Sequence, residues 1–190
     1  MSLVLGPIHY WLYNKIRFQE EITSAIAEQF PNEGKSDRYV RNLVPLEQAV
    51  DTANIHGSLQ KMIHDAEERN AGLVTELLNS GISMKEMEKV ARRTGEKHAA
   101  SVSSAIDAYK ALDDLLLNGM PCDRVSVILD QSEDEVVFSL VEDIHGDSWN
   151  AMEGDVANYY ILRKAAANGA IRQSGFVLDN NDMTYIIKRV

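Results

Sequence analysis

The sequence predicts an α+β fold, in which an N-terminal antiparallel helical bundle is followed by a small antiparallel sheet. Up to Asn118, apolar side chains recur at helical spacing. After Pro121 the chain changes to short segments rich in β-branched residues and separated by turn residues, which is the pattern of strands. A chain of 190 residues can form one domain or two small ones. We therefore predict a bundle over residues 1–120 and a ββαββ unit over residues 121–190, either separate or packed as one unit.

The first two long helices of the bundle are predicted from their boundaries and their apolar stripes. Pro7 suits the first turn of a helix, and Pro31 ends the same helix near Phe30. The second helix is predicted to begin near Leu46 and to extend towards Leu78, with a candidate break around Asn70 and Gly72. Both helices are long enough to pass through the whole bundle.

The third long helix follows a motif that is typical of helix starts. Ser83 and Glu86 have the spacing of a capping box, in which the two side chains bind exposed backbone N–H groups of the first turn. Apolar residues then recur as far as Leu116, before NGMP ends the helix. Three helices leave one side of a bundle open, so we expect a fourth helix or a second copy of the chain to complete it.

The C-terminal part is predicted to contain two hairpins and one helix. RVSVILD and EVVFSLV, joined by the turn QSED, form the first hairpin, and SGFVLDNNDMTYIIKRV forms the second. Residues 151–168 between them have helical spacing, and Asn168 followed by Gly169 is a typical helix end. The acidic segment EDIHGDSWNAMEGD, which contains His145, is interpreted as a solvated loop that caps this helix.

Composition argues against several classes of function. The net charge of −10 and the isoelectric point near 4.9 disfavour nucleic acid as a partner, because phosphate binding needs basic residues. Cys122 is the single cysteine, so the chain has neither an internal disulfide framework nor a cysteine-based zinc site. The sequence contains no recognisable signal peptide and no apolar run long enough to span a membrane. We therefore expect a soluble cytoplasmic protein that does not bind membranes.

Histidines on the predicted helices provide the candidate site. On a helical wheel, His64 lies at the centre of the face that begins with Leu46, and Gln60 and Glu67 lie within about 80° of it. His98 occupies a core-facing position on the third helix. A second apolar stripe on the second helix is a candidate dimer contact and comprises Ile55, Leu59, Met62, Ile63 and Ala66.

Folding the helices antiparallel brings several of these side chains to one height. His64 and His98 lie equally far from the link at Gly81, and reflection about the first connection places His9 near Glu67. Imidazole and carboxylate groups suit iron or zinc, and helical bundles build such sites from facing helices. The predicted metal layer comprises His9, His64, His98 and Glu67, with Gln60 and Trp11 in supporting positions.

These patterns lead to two hypotheses for function. In the first, a histidine-rich pocket inside the bundle binds iron, zinc or a small ligand, and an open coordination position on the metal would permit catalysis. No motif identifies a reaction, so the sequence leaves open whether the protein is an enzyme. In the second, a non-enzymatic regulatory or assembly protein forms homodimers through its helices and binds a ligand or a protein partner through its C-terminal part.

Overall fold

A computed structural model describes residues 4–31 and 36–190 and confirms the α+β class. Residues 1–3, at the start of the segment searched for a signal peptide, and residues 32–35, in the polar segment after the first helix, lie outside the described residues. The helices of the described part are α1 (Pro7–Gln29), α2 (Leu46–Ala49), α3 (Ile55–Asn79), α4 (Met84–Lys97), α5 (Ala105–Leu115), α6 (Gly146–Ala151) and α7 (Ala157–Ile171). Its strands are β1 (Ser126–Gln131), β2 (Glu135–Leu140), β3 (Phe176–Asn181) and β4 (Thr184–Arg189), and short 3₁₀ turns occupy Ser36–Tyr39 and Arg172–Ser174.

Helix α1 has the bounds that the sequence predicts. Pro7 occupies its first turn, where a missing N–H group costs nothing, and the Phe30 N–H group donates to the Ile26 carbonyl as the helix ends. Leu12 and Ile22 lie on its buried side, which packs against α3 and α4. α1 is therefore a central element of the helical part.

The second predicted helix consists of two helices, α2 and α3, and the break lies before Ile55 and not around Asn70 and Gly72, which both lie within α3. α2 ends at Ala49, because Val50 has extended backbone angles of φ −108° and ψ 145°. Asn54 then starts α3, and its side-chain oxygen accepts a hydrogen bond from the Gly57 N–H group at 3.1 Å. This break restarts the helical phase, so the buried face of α3 is not the face extrapolated from Leu46.

The buried face of α3 is the stripe that the sequence suggested as a dimer contact. Leu59 and Ile63 belong to one apolar cluster with Leu12 and Ile16 of α1. Ile55, which begins the stripe, has only 3% of its surface exposed. The stripe is therefore part of the core within one chain.

The third predicted helix is likewise two helices, α4 and α5. The capping box is confirmed, since the Ser83 N–H group donates to Glu86 Oε2 at 3.1 Å. After Lys97 the chain follows the end of α7, where the Ala100 N–H group donates to the backbone oxygen of Ala170 at 2.9 Å. A new helix, α5, then begins behind Ser104.

Two glycines allow α4 and α7 to pack with their backbones in contact. A Cβ atom at Gly95 would lie 2.0 Å from the Ala166 carbonyl oxygen, and one at Gly169 would lie 2.1 Å from the Arg92 carbonyl oxygen. The predicted helix end at Asn168 and Gly169 is wrong, because α7 continues through both residues. The Gly169 position serves close helix packing instead of a helix end.

The sheet has the strand order β1-β2-β4-β3, with antiparallel neighbours throughout. Two helices, α6 and α7, lie between the hairpins, where the sequence predicted one helix. Phe138 of β2 pairs with Tyr185 of β4, and both side chains belong to the same core cluster as Val74 of α3 and Val90 of α4.

The division of the chain near residue 120 stays a prediction, although one core cluster contains residues from both sides of that point. Over residues 4–31 and 36–190, no helix is both long enough and apolar enough to cross a membrane.

Candidate functional site

The predicted residues on α1 have local structural partners. His9 Nδ1 accepts a hydrogen bond from the Gly6 N–H group at 2.9 Å, so this imidazole caps the start of α1. Trp11 Nε1 donates to Asp114 Oδ1 of α5 at 2.8 Å, and the Lys15 ammonium lies 3.7 Å from the centre of the Trp11 ring. His9 therefore binds the residue that precedes α1, whereas Trp11 joins α1 to α5.

The expectation that His64 and His98 face the core is wrong. The His64 side chain is 55% exposed and lies 3.0 Å from Glu68 and 3.1 Å from Ser148 Oγ. The His98 side chain is 38% exposed and lies 2.7 Å from Glu21. The reason is the same in both cases: the chain leaves the helix before Ile55 and after Lys97, so the extrapolated helical faces do not continue.

Gln60 is exposed on α3 and does not support the predicted layer. Among the described residues, no three histidine, cysteine, aspartate or glutamate side chains are grouped closely enough to hold a metal ion. The metal layer expected from the histidine spacing therefore stays a prediction without support from the described contacts.

Glu67 is the predicted site residue that lies in the interior, and its partner is His145. Glu67 Oε1 accepts a hydrogen bond from His145 Nδ1 at 2.7 Å, with the two side chains 4% and 0% exposed. Glu67 lies on the buried face of α3, and His145 immediately precedes α6. A histidine and a carboxylate thus form a buried pair between the two halves of the chain.

The second nitrogen of His145 has an unusual environment. In the described part of the chain, His145 Nε2 is buried and has no hydrogen-bond partner. The imidazole ring lies against Tyr159 of α7 with ring centres 4.0 Å apart, and its edge meets Tyr160 at 5.8 Å. The interpretation of this segment as a solvated loop is therefore wrong for His145, because Glu67 and the two tyrosines enclose it.

Asp143 connects the buried pair to the surface. Asp143 Oδ1 accepts the backbone N–H of His145 at 3.0 Å and the Tyr160 hydroxyl at 2.8 Å. Burial and the hydrogen bond to Asp143 raise the pKa of the Tyr160 hydroxyl well above its usual range. Tyr160 therefore stays a neutral donor to an exposed carboxylate at physiological pH.

A groove of about 480 Å³ opens over Tyr160. Its walls include Tyr185 of β4 and the partly exposed Ile161 of α7. This volume lies in the range of small-molecule sites, roughly 300–1,000 Å³. The remaining lining residues are Asp143, Asp155, Val156, Ala157, Lys164, Asn180, Asp182 and Met183.

The groove is acidic. The exposed carboxylates of Asp143, Asp155 and Asp182 line it, and within the described residues none of the three forms an ion pair with lysine or arginine. Lys164, the basic residue of the lining, is paired with Asp179 at 2.6 Å. The uncompensated charge of the lining is therefore negative.

A much smaller cavity of about 30 Å³ lies on the helix side of the sheet, and Tyr185 lines both spaces. Arg163 reaches this cavity and donates to the Leu117 carbonyl oxygen and to the Tyr159 hydroxyl. The volume accommodates one or two water molecules. Of these two spaces, the groove has the size of a ligand site.

Sequence reasoning missed His145 because it lies in a segment with the composition of an exposed loop. One signal in the sequence indicated burial. The same segment contains Trp149, and tryptophan side chains are highly buried on average. Trp149 is indeed fully buried. Comparisons with protein-family models, curated protein sequences and solved structures found no match to this chain.

Proposed function

We propose that the protein binds a small organic cation, such as an amine, in the groove over Tyr160. The observation that carries the proposal is a groove of about 480 Å³ with tyrosine walls and three carboxylates that have no basic partner among the described residues. Aromatic faces attract cations, and a carboxylate beside them adds charge and hydrogen-bond acceptors. The groove therefore offers the two groups that recognise an ammonium ion.

The proposed ligand site is formed by residues 143–185. This location agrees with the hypothesis of a non-enzymatic protein that binds a ligand through its C-terminal part. His145 is fully buried beneath Tyr160, so its imidazole does not reach a molecule in the groove. Binding, and not proton transfer by this histidine, is the function that fits the arrangement.

The buried pair has a positioning role in this proposal. Glu67 holds His145, and the His145 backbone holds the Asp143 carboxylate at the rim of the groove. The second acceptor bond of Asp143, from Tyr160, fixes the carboxylate against the aromatic wall. A rigid carboxylate loses less entropy on binding than a mobile one.

The test compares benzylammonium with benzyl alcohol, which has nearly the same shape and no charge. Isothermal titration calorimetry should give an affinity about tenfold higher for benzylammonium, corresponding to about 1.4 kcal/mol. The double variant Asp143→Asn/Asp182→Asn should lose this preference, because both substitutions remove charge with little change in shape. Equal affinities for the two compounds in the wild-type protein, or no binding of either, would contradict the proposal.

Asp147→Asn provides the matched control for these substitutions. Asp147 is also exposed and close in sequence to Asp143, but it does not line the groove. This variant should keep the wild-type preference for benzylammonium. If it loses the preference as completely as the double variant does, the effect comes from the overall charge and not from the groove.

A further inference from the structure

Strand β1 has an open edge with an apolar surface. It lies at one end of the strand order, so one side of its backbone has no neighbouring strand in the sheet. Val127, Ile128 and Leu129 follow one another in this strand and are 44%, 38% and 59% exposed. Exposed apolar edge strands are templates for pairing with another strand.

The opposite edge of the same sheet is blocked. The Asn168 side chain of α7 donates to the Leu178 carbonyl oxygen at 2.9 Å and accepts from the Leu178 N–H group at 2.9 Å. These two bonds occupy backbone groups of β3 that a further strand would need. In the described residues, no side chain binds the backbone of residues 126–129 of β1 in this way. The β1 edge is therefore open to a further strand, whereas the β3 edge is not.

We propose that β1 pairs antiparallel with β1 of a second copy, which makes a homodimer with one continuous eight-stranded sheet. Antiparallel pairing of a strand with itself produces a twofold axis, the commonest symmetry of protein dimers. A β-bulge between Ile128 and Asp130 leaves Leu129 without a partner in β2. The new interface would cover the exposed side chains around this bulge.

Charge at the two ends of β1 favours a second copy as the occupant. The exposed Arg124 precedes the strand, and the exposed Glu133 follows it, together with Asp130 at its end. A twofold axis near Ile128 and Leu129 brings the basic end of each strand opposite the acidic end of the other. Opposite charges across an antiparallel pair stabilise it, whereas a parallel arrangement would place like charges together.

The decisive experiment is sedimentation velocity of the full chain over a range of protein concentrations. The wild-type protein should form a dimer, and Val127→Lys should raise the dimer dissociation constant at least about tenfold, because it places a charged group among the apolar side chains that the interface would cover. Val44→Lys is the matched control, since Val44 is a valine of 46% exposure in the helical half. It should leave the dissociation constant unchanged.

A second test exchanges the charges at the two ends of β1. A rescue by the double variant cannot be explained by loss of folding. Arg124→Glu should weaken the dimer, and the double variant Arg124→Glu/Glu133→Arg should restore it, because the opposite ends are again complementary. A wild-type protein that is monomeric at every concentration would overturn the proposal. A dimer that survives Val127→Lys, or that the double variant does not rescue, would place the interface elsewhere and would overturn it too.

Discussion

Glu67 Oε1 and His145 Nδ1 lie 2.7 Å apart in the interior, although 78 positions separate the two residues in the chain. The pair joins the long helix α3 to the loop before α6, and this loop carries Asp143 at the rim of the groove. A buried ionisable pair of this kind is costly to form and more costly to break, because a single remaining partner keeps its desolvation penalty. The pair therefore couples the helical half to the candidate ligand site.

Replacing both members of this pair should lower the free energy of unfolding by less than the sum of the two single replacements. Glu67→Leu and His145→Leu should each lower the free energy of unfolding by about 3 kcal/mol. The double variant should lose about 2 kcal/mol less than the sum, because neither polar group is then left unpaired. Urea denaturation followed by fluorescence, in which the buried Trp149 reports on this region, measures all three values.

An exposed pair on the same helix supplies the control for this cycle. Lys61 and Asp65 lie 2.8 Å apart on α3, with side chains 73% and 30% exposed. For Lys61→Leu and Asp65→Leu, the loss of stability in the double variant should differ from the sum of the two single losses by only about 0.5 kcal/mol. If the losses in free energy of unfolding at Glu67 and His145 are simply additive, the contact between them does not contribute to stability, and the prediction is wrong.

Backbone contact between α4 and α7 predicts a large effect from a single methyl group. Gly95→Ala should lower the free energy of unfolding by about 2–3 kcal/mol, because its Cβ atom would lie 2.0 Å from the Ala166 carbonyl oxygen. Gly6→Ala adds the same group where the surroundings are open, and it should lower stability by no more than about 1 kcal/mol, because alanine is a poorer N-cap of α1 than glycine. Similar denaturation midpoints for the two variants would contradict the close packing of these helices.

Lys15 should make stability depend on pH above neutrality. Burial lowers the pKa of its ammonium group to about 8, even though Asp113 lies 3.6 Å away and favours the charged form. Above pH 8 the folded protein loses this proton, whereas the unfolded chain keeps it until its ordinary pKa of 10.5. Since the unfolded state then binds more protons, the free energy of unfolding should rise by about 1–2 kcal/mol between about pH 7.5 and about pH 9.5.

Lys15→Met tests this pH dependence by removing the titrating group while keeping a long apolar side chain. The rise assigned to Lys15 should be absent from the variant, as measured by urea denaturation at the two pH values. Nearby charges on Asp113, Asp114 and Arg163 remain in both proteins, so the difference between the two profiles isolates the lysine. Identical profiles would assign the pH dependence to other groups.

Local signals in the sequence located the elements better than they located the site. Pro7 and the Ser83–Glu86 capping box mark helix starts in the structure, because both act within one turn of the chain. The breaks at Val50 and after Lys97 were missed, since the residues there have no strong helix-ending chemistry. The first break restarts the helical phase and leaves His64 on the surface, and the second ends α4 at Lys97, so His98 lies at an exposed helix end and not within a continuous helix.

The sequence by itself determined the α+β class, the first helix and the positions of both hairpins, since these depend on spacing between near neighbours. Only the tertiary structure decided that Glu67 pairs with His145 and that Gly169 faces Arg92 instead of ending a helix. These contacts join residues far apart in the chain, where periodicity carries no information about distance. The candidate groove likewise exists only after α7 and β4 meet, because neither element contains its full set of aromatic and acidic groups.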